Sequence, residues 1–127
     1  MDDTINLYPV GVIVNPYSYW LAATPDRKVY CPDRNPPYGL LEIKCPVVEN
    51  INDAKCLQFR DGQLSLKKND NYYYQVQMQL AVTGLEWCDF FVWTENDSHL
   101  ETIYFDEDFW KETKDKLDIF FFAHYLN

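Results

Sequence analysis

The sequence lacks several features that would assign it to a class at once. It has no apolar run long enough to span a bilayer, and its acidic start, Met1-Asp2-Asp3, is not the basic region that opens a secretory signal. Its four cysteines contain no C-x-x-C pair and its two histidines stand alone, which disfavours a zinc site. We therefore expect one domain over residues 1–127, inside the cell in the nucleus or cytoplasm, without a membrane partner and with reduced thiols rather than disulfides.

An excess of basic residues is also missing. The net charge of −9 argues against a nucleic-acid partner, because phosphate binding usually needs a basic surface. The charge is uneven, however: residues 1–85 hold 9 acidic and 8 basic side chains, whereas residues 86–127 hold 11 and 3. The acidic excess belongs to the C-terminal part, where it is typical of a solvated helix face. The global charge therefore leaves DNA open as a partner of the first part.

Apolar residues are plentiful, at 47% of the chain with 17% aromatic residues, which is enough for a folded core. Runs rich in β-branched and aromatic residues, bounded by turn residues, predict strands at 10–14, 20–24, 28–31, 39–45, 64–66, 86–94 and 100–105. Apolar spacing and capping residues predict helices at 49–59, at 72–83 between Asp70 or Asn71 and Gly84, and at 107–125 after Asp106. This order predicts an α/β (α+β) fold, a central mixed β-sheet flanked by helices.

The stretch Gly39-Leu40-Leu41-Glu42-Ile43-Lys44-Cys45-Pro46 is the most informative part of the sequence. Its apolar character, bounded by Gly and Pro, is typical of a buried strand. Residues two apart on a strand share a face, so Glu42 and Lys44 should lie side by side while Leu41 and Ile43 face the other way. Charged groups are rarely buried unless they are paired or bound to a metal. This pair therefore indicates either a structural ion pair at a sheet edge or a functional site.

The Glu-x-Lys triplet alone is weak evidence, because a chain of this length contains such spacing about once by chance. Asp53-Ala54-Lys55 and Glu112-Thr113-Lys114 have the same spacing, but they lie in polar, helix-like surroundings where solvated charges need no explanation. Only Glu42 and Lys44 are embedded in a predicted strand.

A second carboxylate stands at the exit of an earlier apolar run. If that run and the strand of Glu42 are neighbours, Asp26 and Glu42 can share Mg²⁺ or Mn²⁺, with the backbone carbonyl of Ile43 completing the site. Lys44 would then hold or deprotonate a water and stabilise charge on phosphorus, as a metal-assisted phosphodiesterase requires. Asp33 is nearer in sequence but lies in a Pro-rich loop, so we rank it below Asp26. The structural alternative for Asp26 is a residue that initiates a turn.

A series of motifs strengthens this interpretation: Leu21-Ala22-Ala23-Thr24-Pro25-Asp26, the Gly39 to Pro46 stretch, Tyr72-Tyr73-Tyr74-Gln75-Val76-Gln77-Met78-Gln79-Leu80, Val82-Thr83-Gly84 and Trp87-Cys88-Asp89-Phe90. In this order they resemble the YqaJ-like, lambda-exonuclease-type family of PD-(D/E)XK nucleases. The resemblance implies a restriction-endonuclease-like core, hydrolysis of DNA and dependence on Mg²⁺. It makes Asp26 and Glu42 metal ligands, Lys44 the water-positioning group, and Gln75 a helix-borne residue that orients the catalytic site.

The helix that carries Gln75 supports this role, because Gln79 is one turn further along and Tyr72 lies on the same side. A solvated polar face is the alternative. Gln77 lies off that stripe, so it serves packing or a second role. We include Arg27, Gln77, Lys67 and Lys68 as residues that contact DNA; Arg27 stands where the family usually has Gly.

The resemblance also implies a helical segment before the first strand, whereas this sequence starts at about that strand. We therefore expect a core without the usual N-terminal helical part, with a homo-oligomer or a partner protein covering the sheet. The leading hypothesis is an Mg²⁺-dependent 5′-3′ double-strand exonuclease of the viral recombination type, acting on linear duplex ends and encoded by a virus or mobile element. The runner-up is an inactive remnant that binds DNA or protein, and a third is an acidic interaction domain.

Overall fold

A computed structural model describes residues 6–8, 13–14, 22–23 and 27–125, with side chains over 27–116. The strands are β1 (Asn6–Tyr8), β2 (Ile13–Val14), β3 (Ala22–Ala23), β4 (Arg27–Tyr30), β5 (Tyr38–Lys44), β6 (Leu57–Arg60), β7 (Gln63–Leu66), β8 (Trp87–Trp93) and β9 (Ser98–Tyr104). The helices are α1 (Asn71–Thr83), α2 (Glu107–Tyr125) and a 3₁₀ turn at Ile51–Asp53.

Among the described residues, the main sheet has five strands in the order β1-β4-β5-β8-β9, and only the β5–β8 pair of these is parallel. The strand that carries Glu42 is therefore the central one, with partners on both sides. The predicted mixed sheet is confirmed. β2 pairs with β3, and β6 with β7, in two small antiparallel sheets.

Helix α1 begins and ends as its sequence predicts. The side chain of Asp70 accepts a hydrogen bond from the backbone N–H of Tyr72, and Gly84 ends the helix in the left-handed conformation, with φ of 75°. Val76 and Leu80 are buried and belong to the same core cluster as Leu40 and Phe90 of the sheet. This packing fixes the helix face that meets β5 and β8.

The opposite face of the sheet has a smaller core around Trp87, which is buried with Val29 and Leu41. The ring of Trp87 lies so close to Gly39 that a Cβ on that residue would overlap it. The guanidinium of Arg34 lies 4.2 Å from the Trp87 ring centroid and 2.9 Å from Oδ1 of Asp89. The Asp89 hydrogen bond raises the pKa of the Arg34 guanidinium.

One predicted element is wrong. Residues 49–59 form only the 3₁₀ turn at Ile51–Asp53, and β6 then begins at Leu57. The reason is the hairpin that follows: Asp61 and Gly62 both have positive φ, which suits a tight turn that pairs β6 with β7. Pairing within this hairpin thus overrides the weak helical pattern at its first strand.

The strands predicted at 10–14 and 20–24 are confirmed only at Ile13–Val14 and Ala22–Ala23, and their other residues lie outside the described chain. Within the described part, no helix combines the length and apolar character that are needed to cross a bilayer.

Candidate active site

Glu42 is a buried carboxylate in the middle of the sheet. It pairs with Phe90 of β8 and is 2% exposed. Leu40, Glu42 and Lys44 alternate with Leu41 and Ile43, so the charged pair lies on the face that α1 covers. The sheet-edge explanation for the pair is therefore wrong, because β5 is internal.

Lys44 connects the strand to the helix. Its Nζ lies 3.2 Å from Glu42 Oε2 and donates to Gln75 Oε1, also at 3.2 Å. The same ammonium lies 4.6 Å from the ring centroid of Tyr72, a distance typical of a cation–π contact. The lysine is thus held by three side chains, two of them from α1.

Tyr72, Gln75 and Gln79 lie on one face of α1, as their spacing predicts, and this face meets β5 rather than solvent. The solvated-face alternative is therefore wrong for this stripe.

Gln79 is a contact of Glu42 that sequence reasoning placed on the correct helix face but did not include in the site. It is 1% exposed, and its Nε2 donates to Glu42 Oε1 at 3.2 Å. Its own Oε1 is buried and has no hydrogen-bond partner among the described residues. The one-turn spacing from Gln75 was the available signal.

Asp26, the second proposed metal ligand, lies outside the described residues. The described β4–β5 ladder ends at the pair Arg27–Leu41. Ile43 pairs with Phe91, and its side chain is partly exposed. Within the described part of the chain, no three His, Cys, Asp or Glu side chains are grouped as a metal site would need.

The donor chemistry around Glu42 nevertheless fits a hard divalent cation. Gln79, which contacts the carboxylate of Glu42 through Nε2, also carries a buried carboxamide oxygen without a described partner. Carboxylate, carbonyl and water oxygens are the ligands that Mg²⁺ and Mn²⁺ prefer.

The residues expected to contact DNA lie in different surroundings. Lys68 and Arg27 are exposed and Lys67 is half-buried. Arg27 pairs with Leu41, so its side chain leaves the sheet on the face opposite Glu42. DNA contact by these three residues stays a prediction.

For Gln77 the expectation of DNA contact is wrong. It is 0% exposed; its Nε2 donates to the carbonyl of Tyr104 and its Oε1 accepts from the N–H of Asp106. This side chain fastens α1 to the end of β9 and the start of α2. That leaves packing, the other role considered for it.

The chain matches a family model and solved structures, but no curated protein. The model of the family described as "YqaJ-like viral recombinase domain" matches residues 4–86, more than half of the chain and all of the candidate site. Among curated proteins, none matches.

Solved structures of an alkaline exonuclease (LHK-Exo) from Laribacter hongkongensis match with a TM-score of 0.68 and 27% identity. One is a crystal structure of the exonuclease and another is that of its complex with dAMP, matched at the same values. The match covers 93% of this chain and 56% of the exonuclease, so the chain spans little more than half of that protein. The likeness confirms the predicted restriction-endonuclease-like core.

Proposed function

The chain belongs to the YqaJ-like viral recombinase domain family, and on that premise we propose that it is a metal-dependent nuclease that hydrolyses phosphodiester bonds of DNA. The observation that carries the proposal is the buried Glu42 joined to Lys44, with both residues held by glutamines of α1. The likeness to an alkaline exonuclease supports exonuclease activity. The finer part of the proposal is that this activity acts on duplex ends in the 5′-3′ direction.

Glu42, Asp26 and the backbone carbonyl of Ile43 would hold Mg²⁺ or Mn²⁺. When bound, the cation supplies Lewis-acid polarisation of the phosphate and a water of lowered pKa. Glu42 suits this role because it lies where little water competes for its oxygens, at 2% exposure.

The register of the described strands supports Asp26 as the partner of Glu42. From Tyr30–Tyr38 to Arg27–Leu41, each step back along β4 is matched by one step forward along β5. If the pairing continues by one residue, position 26 falls opposite Glu42. Directly paired residues share a face of the sheet, with Cβ atoms about 4.5–5.5 Å apart. Two carboxylates at that spacing can ligate one cation.

Lys44 would act on the attacking water and the phosphate. An ammonium has three N–H donors, and Glu42 and Gln75 account for two described contacts of this one. A donor turned to the reacting group can hold the water for attack and offset the negative charge that grows on the phosphate oxygens.

Gln75 would orient Lys44, because its Oε1 accepts from Nζ while α1 holds its backbone. The ring of Tyr72 contacts the ammonium from another side and restricts its movement. Arg27, Lys67 and Lys68 would supply charge for the DNA backbone, which the strongly acidic C-terminal part cannot.

A cleavage assay tests the proposal. The protein is incubated with linear duplex DNA and with covalently closed circular duplex of the same sequence, with Mg²⁺ or with EDTA. We expect mononucleotides from the linear DNA with Mg²⁺ and intact circles. Cleaved circles would indicate an endonuclease instead. No cleavage of either substrate would favour the inactive binding module.

A further inference from the structure

Helix α1 carries two fully buried glutamines whose surroundings differ. Gln77 and Gln79 are 0% and 1% exposed. Both hydrogen-bonding ends of Gln77 are satisfied by the backbone, at Tyr104 and Asp106. Gln79 has one end on Glu42 and the other, Oε1, with no partner among the described residues. Gln77, with both ends of its amide satisfied, is what a glutamine with a purely structural role is expected to look like.

The orientation of the Gln79 amide follows from chemistry. Turning it over would place Oε1 against the carboxylate of Glu42, and two acceptors cannot share a hydrogen bond. The NH₂ group therefore faces Glu42, and the carboxamide oxygen is the end that is left unpaired.

An unpaired buried oxygen costs stability, and an apolar residue at this position would avoid it. Val76 and Leu80 of the same helix are apolar core residues. A role in packing therefore does not explain a glutamine at position 79. A bound ligand that donates a hydrogen bond to Oε1 of Gln79 would explain it.

We propose that Gln79 positions Glu42 for cation binding and that its carboxamide oxygen accepts a hydrogen bond from the hydrated Mg²⁺ or Mn²⁺ ion. This inference rests on the proposed nuclease function. Lys44 and Gln79 hold the two oxygens of Glu42 separately, at Oε2 and Oε1, so the carboxylate cannot rotate without losing a contact. Mg²⁺ retains several waters when it binds proteins, and these waters are hydrogen-bond donors. Residues that orient a ligand in this way typically change metal affinity by about 10- to 100-fold.

The test is calorimetric titration of Mn²⁺ into the DNA-free protein. Gln79→Met keeps the length of the side chain and removes both polar ends. Gln77→Met makes the same change at a buried position of the same helix that faces away from Glu42, and it is the matched control. Glu42→Gln measures how much of the binding depends on the proposed ligand.

We expect Gln79→Met to weaken Mn²⁺ binding at least 10-fold and Gln77→Met to stay within about threefold of the unmodified chain. Equal affinities for Gln79→Met and the unmodified chain, or equal losses in both variants, would overturn the inference while leaving the nuclease proposal standing. If the unmodified chain binds no Mn²⁺ through Glu42, the proposed function itself fails. Should Gln79→Met not unfold cooperatively, Gln79→Asn, which withdraws the amide from Glu42, is expected to show the same loss.

Discussion

The ammonium of Lys44 lies 3.2 Å from Glu42 Oε2 beneath helix α1, on the central strand of a five-stranded sheet. Buried ion pairs often contribute little net stability, because desolvation of the two charges offsets their attraction. A pair in this position, with two glutamines and a tyrosine around it, is therefore better explained by chemistry than by folding.

Replacement of Lys44 tests the role of the ammonium. Lys44→Met keeps the aliphatic chain and removes the donor, so we expect the rate of duplex DNA cleavage to fall by at least about 100-fold. Lys116→Met, at an exposed position of α2, is the control and should cleave normally. A Lys44→Met variant with at least a tenth of normal activity would rule out the proposed role.

Gln75 should affect the cleavage rate through its side-chain oxygen, which accepts the hydrogen bond from Lys44. Gln75→Met leaves Lys44 without its acceptor on α1, and we expect cleavage to slow by about 10- to 100-fold. Gln75→Glu retains an acceptor at this position and should lose less activity. The measurement is the initial rate at saturating Mg²⁺, and equal losses in the two variants would contradict an orienting role for the acceptor.

The sequence allowed much of the site-bearing framework to be predicted. Helix α1 could be recognised from Asp70 and Gly84, and the strand of Glu42 from its apolar character. The face shared by Tyr72, Gln75 and Gln79 follows from helical geometry alone. These features depend on residues close together in the chain.

Features that depend on distant residues were not predicted. The segment 49–59 has a weak helical pattern, but its backbone is also held by a distant residue, since the N–H of Ile51 donates to the side chain of Asp97, 46 positions away. The prediction that Gln77 contacts DNA was wrong, because neither periodicity nor composition reveals that Tyr104 and Asp106 meet its amide. The ion pair of Arg34 with Asp89 joins residues 55 positions apart and was likewise missed.

Stability should be sensitive to the close contact under Trp87. The ring is buried, and its Nε1 donates to the carbonyl of Pro36 at 2.8 Å. It therefore cannot easily move aside to make room for a methyl group on Gly39. We expect Gly39→Ala to lower the free energy of unfolding by about 3 kcal/mol in urea titrations. Gly62→Ala, where a Cβ meets no atom within 4 Å but φ is +78°, should cost about 1 kcal/mol. Equal stability of Gly39→Ala and the unmodified chain would contradict the described packing.

Alkaline pH should weaken the fold partly through Tyr73. Burial raises the pKa of this phenol, and the charge of Asp106 adds to the effect. Because the folded chain retains this proton when the unfolded chain has lost it, the contribution is fully present below about pH 10 and is lost as the pH rises through the folded pKa. We expect the free energy of unfolding to fall less steeply between pH 9 and 11 in Tyr73→Phe, as measured by urea titration. Parallel curves for the two proteins would show that Tyr73 does not titrate as proposed.

Two aspartates that precede Glu42 in sequence allow a direct test of the proposed metal site. Asp26→Asn and Asp33→Asn make the same change, one at the proposed metal ligand and one in the Pro-rich loop that joins β4 to β5. Mn²⁺ titration and cleavage of linear duplex DNA are measured for each variant. We expect Asp26→Asn to lose both Mn²⁺ binding and cleavage and Asp33→Asn to retain both. Normal binding and cleavage by Asp26→Asn would contradict the proposed metal site.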